Sequence, residues 1–318
     1  MTTKPAAPPT ATEPDEELQE AQGPEQPAQE ARRSGPPAPG VLSVALALVM
    51  VLSVVAVFFG AFAFGLSSLQ EQRSQHQLYS SLRGLLDPAS TTAPWIGGNI
   101  PTGAPIALLN APQIALKNLV VVEGSAAGQL EEGPGHVANT PLPGQPGNSV
   151  ILGKAATAGA PFAHVSDLRR GDVVRVRTGQ GLFTYRVRGL LVNGGRLPTI
   201  PATSGLLLLG TSAGSGSLAG LSPSHVVYVV ALLQGKAAPV PQDRPSHVTQ
   251  SQLPGHDEPA AWWFVALWGV ALLAVSAACW WLWSTWGLLR TWVVGAPVLL
   301  CILWLLSEET LRLLPNVY

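Results

Sequence analysis

At 318 residues the chain has room for one or two domains, but charged residues are only 12% of it and long stretches carry none. A formal net charge of −1 excludes the basic surface that phosphate-backbone binding needs, so no nucleic-acid partner is expected. Both cysteines, Cys279 and Cys301, lie in apolar runs near the C-terminus, which excludes a disulfide framework, a thiolate metal site and a thiol nucleophile from the central region.

Residues 1–40 hold nine prolines and seven acidic residues and no aromatic. That composition cannot bury enough apolar surface to offset chain entropy, and a disordered tail is expected. An uncharged run follows from Ser34 to Gln70, with its dense apolar part between Val41 and Phe64. It is too long, and begins too far into the chain, for a cleaved signal peptide; residues 41–66 read as an uncleaved membrane helix. Residues 67–104 read as a juxtamembrane helix and linker. Leu78, Leu82, Leu85 and Leu86 recur at helical spacing, and Asp87–Pro101 is punctuated by Pro, Gly and Ser.

From Pro105 the pattern changes to strands, and residues 105–235 read as one β domain. Leu116–Glu123, Ser149–Leu152, Leu206–Leu209 and Val226–Leu232 are short apolar runs. Asp172–Arg177 and Phe183–Arg188 alternate and are joined through Gly179-Gln180-Gly181 as a hairpin. One helical turn is expected near Pro161–Leu168. The set predicts a compact β-barrel or sandwich. Residues 236–259 read as a proline-punctuated linker. Residues 260–286 and 291–307 are two further uncharged spans, with Arg290 in the turn between them and residues 308–318 as a tail.

Lysine and arginine placement sets the topology. Arg32 and Arg33 before the first span, and Arg290 between the second and third, belong on the cytoplasmic side, which puts the β domain and the C-terminal tail outside the membrane. Trp262 and Trp263 then mark the outer interface, and Trp280, Trp281, Trp283 and Trp286 the inner one. The spans contain no Asp, Glu, Lys or Arg, so they offer no residues for a proton or ion path.

Several motifs recur in order through the β domain: VVEG at Val121–Gly124, GPGH at Gly133–His136, PLPGQPGN at Pro141–Asn148, APF at Ala160–Phe162, DLRRGDVV at Asp167–Val174 and FTYRV at Phe183–Val187. This ordered set is similar to sortases of the actinobacterial class E type, and the resemblance implies a closed eight-stranded β-barrel. The family's chemistry uses His, Cys and Arg. A thiolate attacks a carbonyl, the histidine manages the leaving amine's proton, and the arginine stabilises the oxyanion or positions substrate. At those positions this chain carries Lys154, Ser212 and His225. No arginine occurs between Arg196 and Arg244.

The expectation is a mainly β, sortase-like closed barrel outside the membrane plus three transmembrane α-helices. Its function is expected to be non-catalytic: a membrane-anchored binding or assembly module at the bacterial cell envelope, with an envelope or membrane protein as partner. The candidate cleft residues are Lys154, Thr211, Ser212, His225 and His136. One alternative is an acyl-transfer hydrolase or transpeptidase using a Ser212–Lys154 dyad, which requires burial to depress the lysine's pKa. Another is a scaffold subunit of a membrane complex. His136 is expected to serve a structural loop. His164 and His225 make a weak metal signal, and Glu131 and Glu132, though they resemble the acidic calcium sites of some sortases, read as a solvated turn; no metal and no cofactor are expected.

Overall fold

The computed structural model describes residues 41–87, 94–192, 195–213, 225–240 and 261–313. The expected disordered tail, the 236–259 linker beyond residue 240, and residues 314–318 lie outside the described residues. The chain divides into two compact units, residues 1–48 and 49–318. Of the first, only the opening turns of the first helix are described; the remainder of the fold belongs to the second.

Helix α1 (Val41–Ala61) passes through a π-helical turn, Phe62–Leu66, straight into α2 (Ser67–Leu86). The 38 residues Val49–Leu86 form one rod, about 57 Å long, nearly twice a hydrocarbon core of about 30 Å. Its apolar part ends at Leu66, and the polar α2 continues beyond it onto the barrel. Leu82 is buried against the barrel side. Gln75 reaches the same surface, where Nε2 donates to the carbonyls of Val120 (3.2 Å) and Glu132 (2.9 Å), and Oε1 accepts from Val120 N–H (2.8 Å).

The eight strands are β1 (Pro105–Ala111), β2 (Leu116–Glu123), β3 (Gly135–His136), β4 (Gly147–Leu152), β5 (Val173–Thr178), β6 (Gly181–Val192), β7 (Gly205–Ala213) and β8 (His225–Gln234). They close into a barrel in the order β1-β2-β3-β4-β7-β8-β6-β5, so the extramembrane domain is mainly β, as expected. The β5–β6 hairpin is present, with Thr178 opposite Gly181. The helical turn near Pro161–Leu168 is a single 3-10 turn at Val165–Asp167.

Strand β7 runs parallel to β4 and antiparallel to β8. Both of its faces are covered. Leu207 and Leu209 point into the main core with Val176, Tyr185 and Val229, while Leu206 and Leu208 join a second cluster with Val230 and Val150. A strand buried on both faces reads as a continuous apolar run, which is why this one spells Leu-Leu-Leu-Leu and not an alternation.

Two motifs from the sequence meet in space. In β6, Tyr185 is fully buried and its hydroxyl accepts the Gly144 N–H at 2.6 Å, while the neighbouring Phe183 ring lies on the Gly144 backbone where a β-carbon would stand. The FTYRV strand thus holds the PLPGQPGN loop that leads into β4.

Among the described residues, three helices are long and apolar enough to cross a membrane. Besides α1 these are α4 (Ala261–Trp286) and α5 (Leu288–Arg312), which form an antiparallel hairpin. The expected turn at Arg290 is corrected: the break falls at Gly287, whose φ of 83° favours glycine, and Arg290 lies inside α5. Gly295 of α5 lies so close to Cys279 of α4 that an added β-carbon would stand 2.7 Å from the sulfur. Small residues allow such approach between membrane helices. Leu272 packs with Ile302 and Leu303, and Val55 and Phe58 of α1 complete that cluster. Helix α5 also runs past the expected end at residue 307, because Arg312 pairs with Glu308 (3.1 Å) and Glu309 (3.4 Å) along its last turn.

Candidate cleft and the lysine at its edge

Strands β4, β7 and β8 gather the three positions singled out by sequence at one end of the barrel. Leu152 pairs with Gly210, Gly210 with Tyr228, Ser212 with Val226, and Ala213 with His225. Lys154, just past the end of β4, and Ser212, on β7, each lie two residues beyond the Leu152–Gly210 pair, and adjacent strands are about 4.8 Å apart. Ser212 shares a face with Gly210. An added β-carbon on Gly210 would touch Leu152 and Tyr228, so that face is the one carrying Leu152, Tyr228 and Val226. Burial raises the pKa of the Tyr228 hydroxyl there. Thr211 points the other way, into the barrel, where its hydroxyl is buried and makes no hydrogen bond among the described residues. His225 is half-buried at the start of β8.

The backbone of Lys154 is pinned from two sides. Gly153 N–H donates to Gly210 O at 3.0 Å, and Lys154 O accepts Phe162 N–H at 3.0 Å. Gly153 is required here because the Phe162 ring occupies the space of a β-carbon. The lysine side chain, at 2% exposure, is among the largest fully buried ones in the chain. Burial is the main cause that pushes its pKa below the ordinary lysine value; Glu131 opposes that shift and Arg312 adds to it. The Ser212 hydroxyl makes no hydrogen bond among the described residues.

Glu131 and Glu132 are not a solvated turn. They end a short helix, α3 (Ala127–Glu132), and diverge: Glu131 is half-buried beside Lys154, while Glu132 is exposed and lends its carbonyl to Gln75. The Ala-Gly-Gln-Leu-Glu-Glu run is the signal that would have revealed this helix.

His136 has no exposed surface. Its Nδ1 lies 2.9 Å from Glu123 Oε2, and its Nε2 lies 3.0 Å from Pro141 O and 3.1 Å from Thr140 Oγ1. Through these contacts the ring ties β2, β3 and the PLPG loop together. His164 sits apart on the surface, with Nδ1 at 3.0 Å from Asp167.

The loop after Lys154 carries backbone strain. Ala158 (φ 48°) and Ala160 (φ 47°) flank Gly159 (φ 70°), so three successive residues are left-handed. Ala158 is buried, and its N–H donates to Ser67 Oγ (3.2 Å) at the junction of the π turn and α2. The strain is held where this loop meets the membrane helices.

A sequence profile of the sortase domain matches residues 109–198, a stretch that includes Lys154 and ends before Ser212 and His225. Sortase D of Bacillus subtilis (strain 168) is 34% identical over 86 residues, covering 27% of this chain and 41% of that protein, so the match spans less than half of that relative. Among solved structures, sortase E of Streptomyces avermitilis is similar at 27% identity over 43% of this chain and 91% of that one, with a TM-score of 0.34. A Clostridium perfringens sortase D5 transpeptidase is similar at 20% identity over 51% and 99% of the two chains, with a TM-score of 0.41.

Proposed function

The extramembrane barrel is a domain of the sortase family, and from that premise we propose that the protein is a membrane-anchored sortase-like module that binds without catalysing acyl transfer. The carrying observation is the treatment of the three reacting positions. Lys154 replaces the histidine and is enclosed with Glu131 and Arg312 as its charged neighbours. Ser212 replaces the cysteine, and its hydroxyl makes no hydrogen bond among the described residues. A serine hydroxyl is a poor nucleophile without a base in hydrogen-bond reach.

The partner class that fits is an envelope or membrane protein, presented to the face around Ser212, Val226 and Tyr228 and to the Trp-rich hairpin. In the proposed orientation the N-terminus is cytoplasmic and the barrel lies outside a cell membrane. The ends of α1 and α5 support it: Phe62 and Ala63 pack with Leu311 beside the barrel, which leaves the Gly287 turn and Arg290 at the far side, where the positive-inside rule favours the cytoplasm. Full-length protein in nanodiscs should release no product from sorting-type peptides above the Ser212→Ala background. Turnover that disappears in Ser212→Ala would overturn the reading.

One observation favours a second reading, an acyl-transfer site built on Ser212 and Lys154. The burial that lowers the lysine's pKa favours the neutral amine such a base requires. A serine-directed acylating probe should then label Ser212 in the native chain and not in Lys154→Ala.

A further inference from the structure

The barrel is not simply tethered near the membrane; one of its own membrane helices ends on it. Leu311 of α5 is buried against Phe62 and Ala63, and Phe62 also meets Trp304 edge-on at 4.9 Å. The last turn of α5, the π turn, α3 and the strained Ala158 loop enclose a residual cavity of about 10 Å³, lined among others by Phe62, Ser67, Glu131, Ala158, Glu308 and Leu311. That is room for one water at most. Arg312 is held by Glu308 and Glu309 and lies close enough to Lys154 to act on its charge. Its Nε is buried with no hydrogen-bond partner among the described residues.

These contacts have one consequence for access. Lys154 follows β4, and its charged neighbours come from outside the strands, Glu131 from α3 and Arg312 from the end of α5, the two elements that also line the small cavity. An unsatisfied arginine nitrogen and two left-handed alanines, Ala158 and Ala160, mark a contact whose groups are held at some cost.

We propose that the last turn of α5, Glu308–Arg312, is a latch that closes the Lys154 end of the cleft, so that displacement of the α4–α5 hairpin opens this end of the barrel. The hairpin thereby becomes the regulatory element, and a membrane partner that binds it controls what the cleft admits. The contact itself is independent of whether the barrel catalyses; its regulatory meaning rests on the binding-module reading.

The chain's four lysines provide the test. Lys117 and Lys236 are exposed and Lys154 is buried, so amine acetylation of the full chain in nanodiscs, read by peptide mass spectrometry, compares them in one sample. Lys154 should react far more slowly than Lys117 in the native chain. Leu311→Ser and Arg312→Glu should each raise its rate at least about tenfold, equivalent to about 1.4 kcal/mol, with Lys117 unchanged. Arg312→Lys should stay protected, and an unchanged Lys117 rate together with a monodisperse elution profile reports that the variants are folded. A native Lys154 as reactive as Lys117 overturns the latch, and so does a Lys154 that stays protected in both disruptive variants. Peptide turnover in the same preparation with Lys154 still protected would sink the non-catalytic reading and leave the latch standing. An open Lys154 without turnover would do the reverse.

Discussion

Replacing Lys154 separates two roles that its burial combines. The side chain contributes an aliphatic stem, almost wholly removed from solvent, and a charge whose largest interaction with its surroundings is the loss of hydration. Lys154→Ala deletes the stem and leaves a cavity under α3 and α5. Large-to-small changes at such sites cost about 2–5 kcal/mol. Lys154→Met keeps most of the volume and removes the buried charge. Because desolvation outweighs the attraction of Glu131, and the half-buried Glu131 keeps access to water once its partner is gone, this variant should lie within about 1 kcal/mol of the native chain, or exceed it. The pH dependence follows with a definite sign. A lysine whose folded pKa is depressed binds fewer protons when folded than when unfolded, so stability rises with pH. The rise occupies the window between the lowered folded value and the ordinary 10.5. Native protein should therefore gain thermal stability from neutral towards alkaline pH, and Lys154→Met should lose that component of the slope. Thermal unfolding of the full chain in detergent, followed at several pH values, measures all three. The reasoning fails if Lys154→Met is destabilised by about 3–5 kcal/mol, the cost of breaking a buried pair that was net favourable.

Three further outcomes test the supports around the cleft. Tyr185→Phe leaves the buried Gly144 N–H without its 2.6 Å acceptor and should cost about 1–3 kcal/mol, seen as a lower denaturation midpoint with secondary structure retained. Gln75→Ala removes three hydrogen bonds that fasten α2 to β2 and α3. At about 0.5–1.5 kcal/mol each, it should speed hydrogen exchange of the Val120 amide by tenfold or more, on the order of 1.4 kcal/mol, before the barrel core is affected. Ala160→Gly relieves a left-handed alanine at φ 47° that costs roughly 1–2 kcal/mol, less the extra chain entropy of glycine. It should raise the unfolding temperature by about 1–2 °C, and a fall in that temperature would show that the loop is not strained at this position.

The barrel was legible in the sequence because its evidence is local. The Asp172–Arg177 and Phe183–Arg188 runs alternate with the period of a strand, and the glycines between them mark their hairpin, so β5 and β6 emerge from spacing alone. The β3 strand could not emerge in that way. It is two residues long, and what fixes it is His136, whose ring joins Glu123 to the Pro141 carbonyl across the barrel wall. The same distinction runs through the candidate cleft. Lys154, Ser212 and His225 could be placed by motif order because β4, β7 and β8 bring neighbouring segments of the pattern together. Glu131 and Arg312 could not, since one sits 23 residues before Lys154 on an unexpected helix and the other 158 residues after it, beyond where the third span was expected to end. The hairpin turn was misplaced for a related reason. Charge suggested Arg290 as the natural exit from the membrane, but backbone conformation decides where a helix breaks, and Gly287 carries the positive φ. Moving the break back to Gly287 starts α5 before Arg290 instead of after it, and the Glu308, Glu309 and Arg312 pairs carry the helix on past residue 307. That extra length brings Arg312 close enough to Lys154 to act on its charge.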